Sequence, residues 1–188
     1  MFDFNNAEIP QGSITPTIQP GIHQVKIESI TNGLSEQKQS PFIEVTVTNS
    51  NGAKLANRYY LSTVINEGKT KAAWDISRNS ILSLVAACLS LNESDAKAKM
   101  PQAKSAEELA TKLSALCVGK EVRLKVTGEE KLATSGNKYI ASSFSQGVFV
   151  ESVKVPANES KLYFSTEKNI KMLPVVAASQ SSSTNDPF

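Results

Sequence analysis

The sequence is short of the residues that carry most enzyme chemistry. One histidine, His23, and two cysteines, Cys88 and Cys117, are spread over 188 residues. A lone histidine cannot build a histidine-based metal centre, and the cysteines are too far apart in sequence for zinc-ligand spacing. Neither a phosphate-binding G-x-x-x-x-G-K-[ST] loop nor G-x-G-x-x-G occurs. No apolar run approaches the roughly 20 residues needed to span a bilayer. The start, Met1-Phe2-Asp3-Phe4-Asn5, has neither the basic nor the apolar region of a secretory leader, which leads to an expectation of a cytoplasmic protein with reduced thiols. Charge of one sign is also scarce: 20 basic residues against 18 acidic ones leave +2. Any polyanion-binding surface must therefore come from local sorting of charge. These absences disfavour an enzyme, a resident metal and a cofactor.

Hydrophobic residues make up 40% and charged residues 20%, enough for a packed core in a chain of one-domain length. Residues 1–20 hold Pro10, Pro16 and Pro20 without periodicity and read as an extended arm. A strand is expected over 22–30, followed by a long polar loop over 31–41 that includes Asn32-Gly33. Residues 42–48 alternate cleanly, Asn49-Ser50-Asn51-Gly52 is a hairpin signal, and 54–62 return as the partner strand.

The period then changes. Apolar residues recur at helical spacing from Trp74 to Leu91, with Asp75 or Ser77 as candidate cap. Ser105-Ala106-Glu107-Glu108 reads as a capping box ahead of Leu109, Leu113 and Leu116, and Gly119 stands where a helix end wants a left-handed residue. Cys88 and Cys117 fall inside these apolar stripes and read as core. Val122, Leu124 and Val126 restore strand alternation, a loop is expected over 128–137, and strands over 138–144 and 148–153. A short amphipathic stretch over 165–172 reads as helical.

Strands, a helical segment and further strands make the element order of an OB-fold, a five-stranded Greek-key barrel that binds oligonucleotides or oligosaccharides. The expected architecture is mainly β with a helical insertion. It comprises the arm (1–20), a domain over 21–155 with a helical insert over 74–117, a C-terminal extension (156–178) and a flexible tail (179–188).

Particular segments also carry a family likeness. They are Pro20-Gly21-Ile22 leading the first strand, the hairpin with Tyr59-Tyr60, the helical insert, the run VGKEVRLKV over 118–126, and Gly136-Asn137-Lys138-Tyr139. Together these resemble the phage-encoded single-stranded DNA-binding proteins of OB-fold type over most of residues 20–153. The resemblance implies a non-enzymatic protein that coats single-stranded DNA in replication or recombination, in the host cytoplasm. The tail is similar to those of bacterial and many phage single-strand binders, in which acids and a terminal Pro-Phe dock partner proteins. Asp186, Pro187 and Phe188 match that tip, with one acid where the family carries several. A rival reading is a protein-interaction or virion-assembly module that binds no nucleic acid.

A single-strand groove needs cations along the phosphates and aromatic faces for the bases. Arg123 and Lys125 alternate with core positions and are expected to point outward together. The hairpin offers Lys54, Arg58 and one outward tyrosine. Leu61 shares a face with Tyr59, so Tyr60 is the expected platform and Tyr59 the core residue. Phe42, opposite Ile43 and Val45, is expected outside. Tyr139 with Lys138, and the loop lysines Lys38 and Lys131, complete the candidate set. Trp74 reads as a core anchor and His23 as a surface strand residue.

Overall fold

In the central hairpin, alternation is enforced by the turn. Asn49 Oδ1 accepts the backbone N–H groups of Asn51 (3.0 Å) and Ala53 (2.9 Å), and the Gly52 N–H bonds the Asn49 carbonyl (3.0 Å). Gly52 sits at φ +75°, left-handed backbone that glycine adopts without steric cost. That turn fixes the register of β2 (Pro41–Asn49) against β3 (Lys54–Tyr60), from Thr48↔Lys54 to Phe42↔Tyr60. Ile43, Val45, Val47, Leu55 and Tyr59 consequently share the buried face. The computed structural model describes residues 16–65, 67–144 and 149–173.

The first strand is longer than its sequence suggests. β1 runs Gly21–Leu34, and the loop expected over 31–41 contracts to 35–40. The reason is a register shift between Ile27 and Ser29. Ile27 and Ile30 are three residues apart and would face opposite sides of a regular strand. The bulge inserts one residue and returns Ile30 to the core, so that Thr31 to Leu34 continue the ladder against β2.

Three helices lie between β3 and the next strand: α1 (Ala73–Leu89), α2 (Glu93–Lys99) and α3 (Ala106–Cys117). Neither expected cap starts α1. Its N-cap is Ala72 without a side-chain bond, Ser77 is buried one turn in, and the Trp74 N–H bonds the Ser62 carbonyl (2.9 Å). In α3 the Ser105 hydroxyl accepts the Glu108 N–H (3.1 Å) as expected, while the Glu108 carboxylate reaches back to the Lys104 N–H (2.8 Å) rather than to Ser105. Gly119 follows α3 at φ +82° and donates its N–H to the Ile27 carbonyl (2.9 Å), turning the chain into the sheet. Ile81, Leu84, Val85 and Cys88 of α1 join Leu109, Leu113 and Cys117 of α3 in the core, with Trp74 packed partly buried against it. Both cysteines are free and buried.

β4 (Glu121–Leu132) organises the rest. Its first half pairs with β1 and with β6 (Val150–Ser152). Its second half pairs with β5 (Lys138–Ser143) and, in parallel, with the two-residue β7 (Ile170–Lys171). The strand runs on through Gly128, so the expected 128–137 loop shrinks to 133–137. The stretch expected as a helix over 165–172 forms one turn, α4 (Thr166–Asn169), before entering β7. The result is a mainly β protein: a seven-stranded open sheet with central order β3-β2-β1-β4-β5, antiparallel apart from β7, plus a few helices. The ends of that path, β3 and β5, bring Cα atoms within 8 Å of each other. Among the described residues no helix is long and apolar enough to cross a membrane.

Candidate nucleic-acid interface

Register determines which side chains can act together. Opposite the core face, cross-strand rows place Gly33, Phe42 and Tyr60 side by side, then Thr31, Glu44 and Arg58, with Lys26, Thr48 and Lys54 further along. Across β1 the same face continues through Gln24 with Arg123 and Ile22 with Lys125, and from there to Lys131 with Tyr139. Eight expected residues thus share one outer face by strand parity. They do not form one site.

At the β3 end, Lys38, Arg58 and Tyr60 converge on a groove of about 450 Å³, lined also by Ser35, Ser40 and Ser62. The loop that carries Lys38 is held shut: Ser40 N–H donates to Ser35 Oγ (3.0 Å), and Gln39, at φ +49°, donates its N–H to the Ser35 carbonyl (2.9 Å). Tyr60 is exposed at 36% while Tyr59 is buried at 3%, the division expected from the shared face of Tyr59 and Leu61. Phe42 corrects its expectation. It lies on the outer face yet is only 7% exposed, because three neighbours cover it. Tyr60 packs edge-on at 5.8 Å between ring centroids, the Arg58 guanidinium lies 4.6 Å over the ring, and Gly33 leaves open the space its side chain would fill. A Cβ at Gly33 would stand 2.6 Å from Phe42 Cζ. Phe42 is the floor that sets Tyr60 and Arg58, not itself a platform.

Arg58 also bonds Glu44 directly across the strands (2.7 Å), and that carboxylate raises its already high pKa. Glu44 and Gly33 were missed as site residues in the sequence. The hairpin turn fixes Glu44 opposite Arg58, so the register carried that signal; Gly33 was hidden in an apparent Asn-Gly turn. Lys54, at the other end of β3, is ion-paired with Glu28 and lies outside this groove.

Along β4 the outward cations are held differently. Arg123 was expected free on the surface. Its guanidinium instead bonds Glu151 (3.2 Å), the Ser152 carbonyl (3.3 Å) and the Val155 carbonyl, with only 19% of the side chain exposed. Glu151 accepts in turn from the Ser160 hydroxyl (2.8 Å) and the Lys161 N–H (2.9 Å). The segment after β6 folds over Arg123, a long-range contact that strand alternation cannot reveal. Lys125 has no ion-pair partner among the described residues and lines a separate cleft with Thr127, Glu129 and Lys171.

Tyr139 is 49% exposed on β5, opposite Lys131. Lys131 pairs with Glu129 (3.4 Å), whose carboxyl is held below its ordinary range by Lys171 first and Lys131 second. Lys138 pairs with the buried Glu130 (3.2 Å), which also accepts the Leu173 N–H (3.1 Å). His23 bonds the Gln19 carbonyl through Nε2 (2.8 Å). No cluster of three potential metal-binding side chains occurs among the described residues. Asp186, Pro187 and Phe188 lie outside the described residues, as does residues 1–15 of the expected arm. No protein-family model matches the chain, and no curated protein matches it in sequence.

Proposed function

We propose that this protein binds single-stranded DNA along the outer face of its sheet, largely independently of sequence and without chemistry on it. The observation that carries the reading is the convergence of Lys38, Arg58 and Tyr60 on one groove, with the Phe42 ring packed against Arg58 and Tyr60 from outside its lining. That groove combines a loop cation, a strand cation and an exposed ring, the pairing of phosphate contact and stacking surface that a single strand requires. The finer architecture of the proposal is an OB-type barrel. The strand order β3-β2-β1-β4-β5, the approach of β3 to β5 and the helices between β3 and β4 support it. In such barrels ligands lie on the face of strands 2 and 3 beside the loop joining strands 1 and 2, where the groove is found. The role that fits is coating of single strands in replication or recombination, in a phage-encoded setting.

The rival, a protein-interaction or assembly module, draws on a specific observation: Arg58, Lys54, Lys131 and Lys138 each sit beside a carboxylate. One titration separates the two. Labelled single-stranded DNA, duplex DNA and RNA oligomers are titrated with the full chain at about 50 and about 200 mM salt. Tighter binding to single strands than to duplex, weakening steeply with salt, is the expected result. Absence of binding at the lower salt overturns the proposal and leaves the rival.

A further inference from the structure

Beside the groove, and sharing Arg58, Tyr60 and Ala73 with it, lies a smaller cleft of about 210 Å³ between β3 and the start of α1. Its inner lining is polar where a core built only for stability would be apolar. Asn57 and Tyr59 stand two residues apart on the inward face of β3, opposite Val45 and Ile43. Ser77 and Ser80, each 7% exposed, line it from α1.

Two of these polar groups are unsatisfied. Tyr59 Oη and Asn57 Nδ2 are both buried and meet no partner at full hydrogen-bond geometry among the described residues, although the Asn57 side chain lies close enough to bear on the phenol. Native structures rarely leave such atoms unpaired, since removing them from water without a partner costs free energy that nothing returns. Burial pushes the Tyr59 phenol up, only partly opposed by the neighbouring Asn57 carboxamide, so the hydroxyl keeps its proton and can donate. A water's share of liquid volume is about 30 Å³, so the cleft has room for much more than one bridging water. No carboxylate lines it, which argues against a cation as its occupant.

We propose that this cleft is a subsite for one nucleobase of a strand crossing the groove, with the base edge meeting the Asn57 carboxamide and the Tyr59 hydroxyl. The inference rests on the single-strand reading above and deepens it. A carboxamide offers a donor and an acceptor side by side, the pattern that pairs with a base edge. Tyr60 and Arg58, shared by groove and cleft, hold the neighbouring base and phosphate. Binding is then sequence-tolerant along the groove and base-sensitive at one position.

The test is equilibrium binding of the full chain to equal-length oligomers of dA, of dC, of dT and of alternating dG-dT at one salt concentration. The expected spread between best and worst is about tenfold, the discrimination that a pair of hydrogen bonds to a base edge supplies. Two variants should narrow it to about twofold. Tyr59→Phe removes only the hydroxyl and keeps the buried ring. Ile76→Trp, at a cleft residue exposed at 51%, blocks the space without touching the core. Equal affinity for all oligomers, or a spread unchanged in both variants, overturns the subsite and leaves single-strand binding standing. Failure to bind any oligomer overturns both.

Discussion

The two halves of the outer face use the same residue types in the same alternation and do different things with them. On β3, Arg58 lies over an aromatic ring at the edge of an open groove, and Tyr60 beside it is exposed. On β4, Arg123 is gripped by Glu151 and two carbonyls contributed by the chain from β6 onward. Further along, Glu129 and Glu130 take up Lys131, Lys171 and Lys138. The difference is one of coverage. The β3 groove stays open beside the 35–40 loop, whereas the segment from β6 to β7 is laid along β4, where Arg123 and Glu129 hold it. A basic residue on an outward strand position is therefore a structural clamp or a free contact according to what later chain returns to it.

The largest effect expected from this contrast is on stability. Arg123→Ala leaves Glu151, whose side chain is 10% exposed, without its cation and frees the segment that follows β6. Breaking a buried pair from one side is strongly destabilising, and about 3 kcal/mol is expected here. The neighbouring change Lys125→Ala, at a residue with no ion pair among the described residues, should shift stability by no more than about 0.5 kcal/mol. Urea unfolding midpoints compare them. If Arg123→Ala unfolds like the parent and loses DNA affinity instead, the two halves are alike and the contrast fails.

How far the sequence could be read follows the same division between local and distant contacts. The hairpin was legible because Asn49 to Gly52 specifies its turn and alternation specifies its faces; from these came the burial of Tyr59 and the exposure of Tyr60. Ser105 as a cap was legible for the same reason, its bond to Glu108 being three residues long. The bulge after Ile27 was not, since a run that looks polar beyond Ile30 reads as loop unless its partner strand is known. Likewise Arg123 follows strand parity correctly but meets Glu151 and Val155 from far along the chain. Phe42 has the right face and the wrong exposure, because Gly33 and Arg58 close over it from two other strands.

Gly33 gives the next test, of intermediate size. Its absent Cβ is what allows Phe42 to lie flat beneath Arg58 and Tyr60, and an added methyl would meet the ring at 2.6 Å. Gly33→Ala should therefore cost about 1–3 kcal/mol by overpacking. It should also weaken single-strand binding, because the ring that sets Tyr60 and Arg58 is displaced. Thermal melting and one titration read the two effects. A neutral substitution would mean that Phe42 is free to move and that the β3 half is no more preorganised than the β4 half.

The smallest effect sharpens the comparison most directly, since it concerns single exposed charges. Arg58 is 53% exposed in its side chain and Lys131 is 48% exposed, and each is paired with one nearby carboxylate. Surface pairs of this kind contribute little to stability, so Lys131→Ala should leave folding unaltered, while Arg58→Ala also uncovers one side of the Phe42 ring and should lower the melting temperature slightly. Their binding behaviour should diverge. A cation that neutralises one phosphate of a single strand contributes about 0.7 to the slope of log affinity against log salt. Arg58→Ala should flatten the slope by about that amount, whereas Lys131→Ala should leave it within about 0.2 of the parent. Glu44→Gln is the complementary change. With the carboxylate gone, Arg58 no longer has to exchange an intramolecular partner for a phosphate, and affinity should rise severalfold at low salt while the gain fades as salt screens both contacts. Equal slopes for Arg58→Ala and Lys131→Ala, or no gain with Glu44→Gln, would mean that the groove at β3 has no more claim to the phosphates than the β4–β5 hairpin.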